Sequence, residues 1–502
     1  MQSDTSLLSS PRYKDHDDEH PSTNRGVVVT HTVGRHTRKS LAWLLWLALG
    51  ATELVITLFD SVVWFYPEDR GPLVAQIQRM QRVMVVFATF FFPRLADVHS
   101  RAVSGALACK LFARTSVSTY AAGWVFYIVG SSGLDILLYL FISDYTSLRW
   151  RGMALAWIYF VPLITMWVES PISERFSSSW ACKFGIIMFA ICTPALVALH
   201  LVASKHPEET PQKQTPLIHK FMNGFVRMDP IGLSIFTIGF GLVDYNTNVW
   251  WDAEIRGQPR RVVMLIIGFI LVAPVFILWE MGIPKRGVLF AVAIAFCCRA
   301  ATILPMRAVA YDADSEESSK TSNYYFNAAS MGRAVLAPVF GCLFLLTHRY
   351  KAYMLLGGTM LIVSCALGLH SIRIRYPPDL ISSIVSLFAI QILEGVGGVA
   401  IDLGTMVGSQ ASVPHSDLAT VVGVVKAIPI FGSPFTISFC RIFTNIATKM
   451  YLRVLSAVLC LIFSLFVPNY RLGNSHNAVE RSQDDDLLNA TATIVHSSSA
   501  NL

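Results

Sequence analysis

The chain has 502 residues, 53% hydrophobic and only 15% charged, with a formal net charge of +7 and a mean hydropathy of +0.51. A soluble chain carries about a quarter charged residues and divides into domains of roughly 100–200 residues. This one instead repeats apolar runs from Leu41 to Val467, each of about 20 residues and so long enough to cross a hydrocarbon core as a helix. A soluble multidomain enzyme, a secreted disulfide scaffold and a transmembrane barrel, whose signal is short alternating strands, are excluded.

Residues 1–40 are polar, rich in Ser, His, Asp and Arg, and lack an apolar signal-peptide core. They read as a disordered cytosolic tail. Fourteen spans follow, at 41–59, 79–93, 102–119, 121–142, 153–169, 182–203, 229–245, 262–281, 287–306, 325–346, 352–370, 379–402, 417–443 and 451–467. The expected architecture is an all-α polytopic membrane protein. It comprises an N-terminal six-helix bundle (41–203), a cytosolic loop (204–228), two linker helices (229–281), a C-terminal helix bundle (282–467) and a second disordered cytosolic tail (468–502).

An even span count puts both termini on one side. Basic loops identify that side as cytosolic: Arg35, Arg38 and Lys39; Arg94 and Arg101; Arg149 and Arg151; Lys205 to Arg227; Lys285 and Arg286; His348, Arg349 and Lys351. The opposite loops are more acidic, with Glu68, Asp69, Asp252, Glu254 and the run Asp312–Glu317. The weakest span is 102–119, because Lys110 and Arg114 lie near its middle and each costs a few kcal/mol at the bilayer centre on insertion scales.

No Walker loop is present, and the glycines of EGVGG (Glu394–Gly398) lie inside an apolar run rather than after a strand. They read as close-packing positions, not as a nucleotide site. The nine cysteines show no metal-type spacing and read as small buried hydrophobes.

The informative residues are ionisable ones within spans: Glu53, Asp135, Arg299, Glu394, Asp402, Lys426 and Arg441. Such groups are expensive in lipid and face a cavity or a partner. A desolvated carboxyl group takes up a proton more readily than one in water, which suits a proton-coupled carrier; buried pairing is the structural alternative. Proton-coupling candidates are Asp402, Glu394, Asp135 and Glu53. Asp402 and Glu394 are two turns apart on one helix, roughly on one face, with Lys426 and Arg441 on the next span as switchable partners. Asp97 and Arg101, between spans two and three, and Asp144, Arg149 and Arg151, after span four, read as charged latches of a cytosolic gate. Positive-inside anchoring is the alternative for the arginines.

Several stretches then carry a resemblance. Tyr120–Gly152 (YAAGWVFYIVGSSGLDILLYLFISDYTSLRWRG), Trp180–Pro194, MDPIGL from Met228, HRYK at His348–Lys351, EGVGG, Ser409–Gly423 and Val467–Glu480 run in the order of the fungal siderophore iron transporters of the major facilitator superfamily. The chain resembles a divergent or truncated member of that family. Span three is shorter and more charged, and Asn445 to Met450 run almost directly into span fourteen.

The resemblance implies proton-coupled import of ferric siderophore chelates, with no enzymatic activity and no resident cofactor, iron entering only as part of the chelated substrate. The implied partners are the ferric siderophore, protons and the lipid bilayer, without nucleic acid, in a monomer of the plasma membrane or endosomal vesicles. Tyr127, Tyr139, Trp167, Tyr324 and Tyr325 are the cavity candidates, interfacial belts being the alternative for aromatics at helix ends. Competing readings are another proton-coupled carrier of the same fold, exporting drugs or glutathione, and a transport-impaired paralogue.

Overall fold

The computed structural model describes residues 50–51, 54, 71–98, 120–164, 230–249, 260, 263–271, 286–303, 316–373, 380–413, 418–442 and 446–473. Among these, every regular element is helical: α1 (Gly71–Val98), α2 (Tyr120–Tyr145), α3 (Leu148–Phe160), α4 (Pro230–Val249), α5 (Arg286–Ile303), α6 (Glu316–Thr347), α7 (Lys351–Arg373), α8 (Leu380–Ala411), α9 (Leu418–Ile442) and α10 (Ile446–Phe466). They coincide with expected spans two, four, five, seven and nine to fourteen. Spans one, three and six lie wholly or almost wholly outside the described residues.

Residue choice explains the outward faces. On α10, Tyr451, Leu455, Leu459, Ile462 and Phe466 are exposed at spacings of three and four, so they form one apolar stripe. Val335, Val339 and Leu346 on α6, and Leu356, Val363 and Leu367 on α7, do the same. Stripes of this size facing water would be association sites; facing lipid they are simply solvated. Asn327–Thr347, Lys351–His370 and Phe388–Ala411 are long and apolar enough to cross a membrane.

The packing order places the two halves. In the C-terminal half, α8 packs on α5, α6, α7 and α9, and α10 packs on α5 and α7. In the N-terminal half, α2 packs on α1 and α3. The halves meet along two seams, α1 against α9 and α3 against α6. At the second seam a Cβ on Gly152 would sit 2.8 Å from Phe344, and one on Gly341 would sit 2.9 Å from Met153. Small residues on both sides thus let the helices close on each other.

The first linker helix, α4, lies against α1 and α9, beside the other seam. Buried Asp244 on α4 meets Arg82 Nε of α1 at 2.9 Å. Residues 263–271 pack on α4 through Gly268, whose Cβ would approach the Gly239 carbonyl at 2.9 Å. The linker is therefore tied to the N-terminal half by an ion pair that the sequence reading does not include.

Two boundaries differ from expectation. Residues 468–473, expected to begin a disordered tail, are held against the helices by backbone hydrogen bonds. Their apolar members explain this: Leu472 is fully buried and Tyr470 packs on the main core. Helix α9 ends at Ile442 and α10 begins at Ile446, so their connection is three residues long, even tighter than the sequence suggests.

Candidate transport site

Two interhelical ion pairs converge in the middle of the bundle. Lys426 Nζ of α9 lies 3.6 Å from Asp135 Oδ2 of α2 and 3.6 Å above the centre of the Tyr139 ring. Arg333 Nη1 of α6 donates to Asp402 Oδ2 of α8 at 3.2 Å. Tyr159 of α3 lies within electrostatic reach of both pairs, influenced by Tyr139, Asp402, Lys426 and Arg333. The cluster thus draws side chains from both halves, and Asp135 is 39% exposed, open enough to meet a solute.

Helix geometry places the cluster at depth. Lys426 is eight residues into α9, Tyr159 eleven into α3, and Asp135 ten from the end of α2. At 1.5 Å per residue these are about 12–17 Å from the same end of the bundle, near the middle of a 30 Å hydrocarbon layer. Charges at that depth persist only when paired or facing a cavity.

The glycines of EGVGG hold α8 against its neighbours. A Cβ on Gly395 would stand 2.0 Å from the Ala329 carbonyl, and one on Gly398 would stand 3.0 Å from the Arg333 guanidinium. Gly398 therefore provides the space in which Arg333 reaches Asp402. Gly395→Ala should destabilise the protein by about 1–3 kcal/mol, the cost of overpacking a tight contact. That exceeds the gain of about 1 kcal/mol in helix propensity. Thermal unfolding in detergent checks this, and a variant melting at or above the wild type would refute it.

Glu394 and Asp402 do not share a site. Eight residues on an α-helix turn the chain about 80° past two full turns, and the two carboxylates meet different neighbours. Glu394 accepts a hydrogen bond from Arg453 Nη2 of α10, both side chains being buried. Arg453 Nε also donates to the Ala301 carbonyl of α5 at 2.6 Å. The partners expected for these carboxylates, Lys426 and Arg441, are not the ones found: Lys426 serves Asp135, and the Arg441 side chain lies outside the description. Arg333 and Arg453 are absent from the sequence reading. The available signal was a lone cation within an apolar run, masked for Arg453 by its position two residues inside its expected span.

At the α2–α3 turn, Asp144 and Arg151 are buried and attract each other. Arg151 Nη2 also donates to the Ser143 carbonyl at 3.0 Å and the Thr146 carbonyl at 3.3 Å. Arg149 takes a different role, donating its backbone N–H to Gly473 at 3.0 Å. Tyr139 is buried beneath Lys426. Asp97, Tyr127, Tyr324 and Tyr325 fall within helices, their side chains outside the description; Glu53, Arg101 and Trp167 fall outside the described residues. Among the described residues no cluster of His, Cys, Asp and Glu has the makings of a metal site.

No protein-family model matches the chain. Its fold is that of solved membrane transporters. A bacterial homologue of the iron transporter ferroportin, in an outward-facing state, aligns over 85% of this chain and 98% of its own at 8% identity, with a TM-score of 0.57. The proton:xylose symporter XylE aligns over 88% and 98% at 13% identity, with a TM-score of 0.52. Among the described residues, a helical bundle of two halves meeting along two seams around interhelical ion pairs defines the class of fold: that of the major facilitator transporters.

Sequence narrows that class. The low affinity haem transporter of Schizosaccharomyces pombe is 27% identical over 88% of this chain and 84% of its own length. A siderophore transporter of Zymoseptoria tritici is 26% identical over 67% of this chain, and a siderophore iron transporter of Saccharomyces cerevisiae 27% over 61%. The chain is thus similar, at about a quarter of aligned positions, to fungal siderophore iron transporters and to a haem transporter. It spans little more than half the length of the latter two relatives, 57% and 53% respectively.

Proposed function

We propose that this protein imports ferric siderophore chelates, driven by protons. The observation that carries the reading is the pair of ion pairs at mid-depth, one of them, Lys426–Asp135, joining the two halves. Halves that rock about a central site must make and break contacts across it, and an ion pair across the seam is a contact whose strength a proton can switch. Protonation of Asp135 removes the charge opposite Lys426, releasing the ammonium to meet a polar group of the cargo. The Tyr139 ring then offers an apolar face to an organic chelate. Iron wrapped by its chelator needs oriented polar and aromatic groups, not ligands from the protein.

A ferric porphyrin is the second reading. It is favoured by the haem transporter relative, the alignment with which covers the larger share of both chains.

The deciding experiment is uptake by iron-starved yeast lacking its own siderophore transporters and expressing this chain alone. Radioiron-labelled ferric siderophores and haem are supplied separately, with and without a protonophore. Protonophore-sensitive accumulation of the siderophore supports the proposal, and accumulation of haem alone moves the cargo to the second reading. Absence of either at confirmed surface expression overturns both.

Within that assay, Lys426→Gln should lower uptake about tenfold, at the lower end of a coupling worth 1–3 kcal/mol. The exchange Asp135→Lys with Lys426→Asp should recover part of the loss by restoring an opposite pair. Wild-type uptake by Lys426→Gln at equal surface levels would remove this pair from the mechanism.

A further inference from the structure

The segment after α10 joins the two halves at one end of the bundle. Most of its bonds go to the α6–α7 turn in the C-terminal half. Leu472 N–H donates to the His348 carbonyl at 3.0 Å, and His348 Nδ1 returns a bond to the Leu472 carbonyl at 2.9 Å. The Tyr350 hydroxyl donates to the Pro468 carbonyl, and Arg349 Nη1 donates to the Asn469 carbonyl at 3.3 Å. Just before the segment, Lys351 Nζ donates to the Leu465 carbonyl in the last turn of α10 at 2.7 Å.

His348 holds φ 55°, the left-handed conformation that ends α6. That turn aims its carbonyl at the segment. Tyr350 is fully buried over Gly408 of α8, where a Cβ would stand 2.7 Å from its ring. Burial pushes the Tyr350 phenol up, so it stays a donor.

Among the described residues, a backbone bond reaches the other half: Arg149 N–H donates to the Gly473 carbonyl at 3.0 Å. Arg149 is the second residue of α3. A helix leaves its first N–H groups without intrahelical acceptors, and the N-cap residue Ser147 makes no side-chain cap. The carbonyl of Gly473 supplies that acceptor from across the molecule. The same end carries the tight Gly152–Phe344 contact of the α3–α6 seam.

We propose that residues 467–473 form a clasp, fixed on the C-terminal half and capping α3 only while this end of the transporter is closed. Opening this end separates α3 from α6 and so breaks the Arg149–Gly473 bond, while the bonds to His348, Arg349 and Tyr350 travel with the clasp. The clasp thereby adds its cap to the closed state alone, and a contact made in one state only shifts the population toward it. The inference rests on the transporter reading but not on the cargo.

Its test uses the full chain with Asp135→Cys as a reporter in the part-exposed central charge cluster, labelled by a membrane-impermeant maleimide from each side of sealed vesicles. The same chain without the reporter gives the background. A second pair, Arg149→Cys with Gly473→Cys, stands at positions whose backbones are hydrogen-bonded, within the roughly 7 Å Cα separation a disulfide requires. Oxidising it should lower labelling from the clasp's side about tenfold, with reduction restoring it. Arg149→Pro and Arg149→Ala both lose the guanidinium, but only the proline loses the N–H donor, a change tolerated in a first helical turn, so it should raise labelling from that side severalfold over Arg149→Ala. Unchanged labelling on oxidation, or equal labelling of Arg149→Pro and Arg149→Ala, overturns the clasp. Labelling as expected, when the chain that keeps Asp135 accumulates no chelate in the uptake assay, instead overturns the transport reading and leaves the clasp standing.

Discussion

Arg453→Met is expected to be the most damaging single change to stability described here. It strips the buried Glu394 of its cationic partner and deprives the Ala301 carbonyl of its donor. Breaking a buried pair by removing one member costs about 3–5 kcal/mol, because an uncompensated charge is left in a low-dielectric interior. Removing both charges leaves no such group. The double variant Arg453→Met with Glu394→Gln should therefore melt nearer to the wild type than Arg453→Met does. Unfolding in detergent, followed by size-exclusion chromatography of heated samples, measures this. A single variant melting with the wild type would show that the pair contributes nothing to stability; a double variant worse than the single would show that the arginine acts by another route. The outcome also separates roles: Glu394, held by a fixed cation, is expected to bind helices together, leaving proton traffic to the part-exposed carboxylates.

Asp402→Asn is expected to have the largest effect on transport. Asp402 accepts a hydrogen bond from Arg333 of α6 and lies within electrostatic reach of Tyr159 of α3. An amide retains the shape of the carboxyl group but cannot gain or lose a proton. If the carboxylate carries the driving proton, wild-type uptake rises from pH 7.5 to pH 5, and the variant loses that rise. Its uptake at pH 5 should fall about tenfold, within the 1–3 kcal/mol typical of coupled sites. Binding of the ferric chelate, read by fluorescence quenching on purified protein, should persist within a few-fold. A variant that keeps the wild-type pH profile at equal surface level would remove Asp402 from the proton path and leave the switch to Asp135 alone. A variant that loses binding and uptake together would mark Asp402 as a cargo contact.

Much of this protein was written in hydropathy and charge. Apolar runs of span length required helices, since no other open structure satisfies its backbone in lipid. EGVGG was legible as a packing motif, and the structure brings α6 into contact with its glycines. The turn residues Asp144, Arg149 and Arg151 were legible as a charged cluster after span four, but it was not legible that Arg151 rather than Arg149 is the one attracted to Asp144.

What sequence left open was which charge meets which. Lys426–Asp135, Arg333–Asp402, Arg453–Glu394 and Arg82–Asp244 join residues on different helices. A linear pattern fixes only the face a residue occupies on its own helix, whereas its partner depends on how helices far apart in sequence are rotated and set in depth. The same reason hid the role of 468–473. A short polar-looking stretch reads as tail, and only the tertiary structure, by carrying the end of α10 beside the first turn of α3, supplied the unpaired N–H group that its last carbonyl caps.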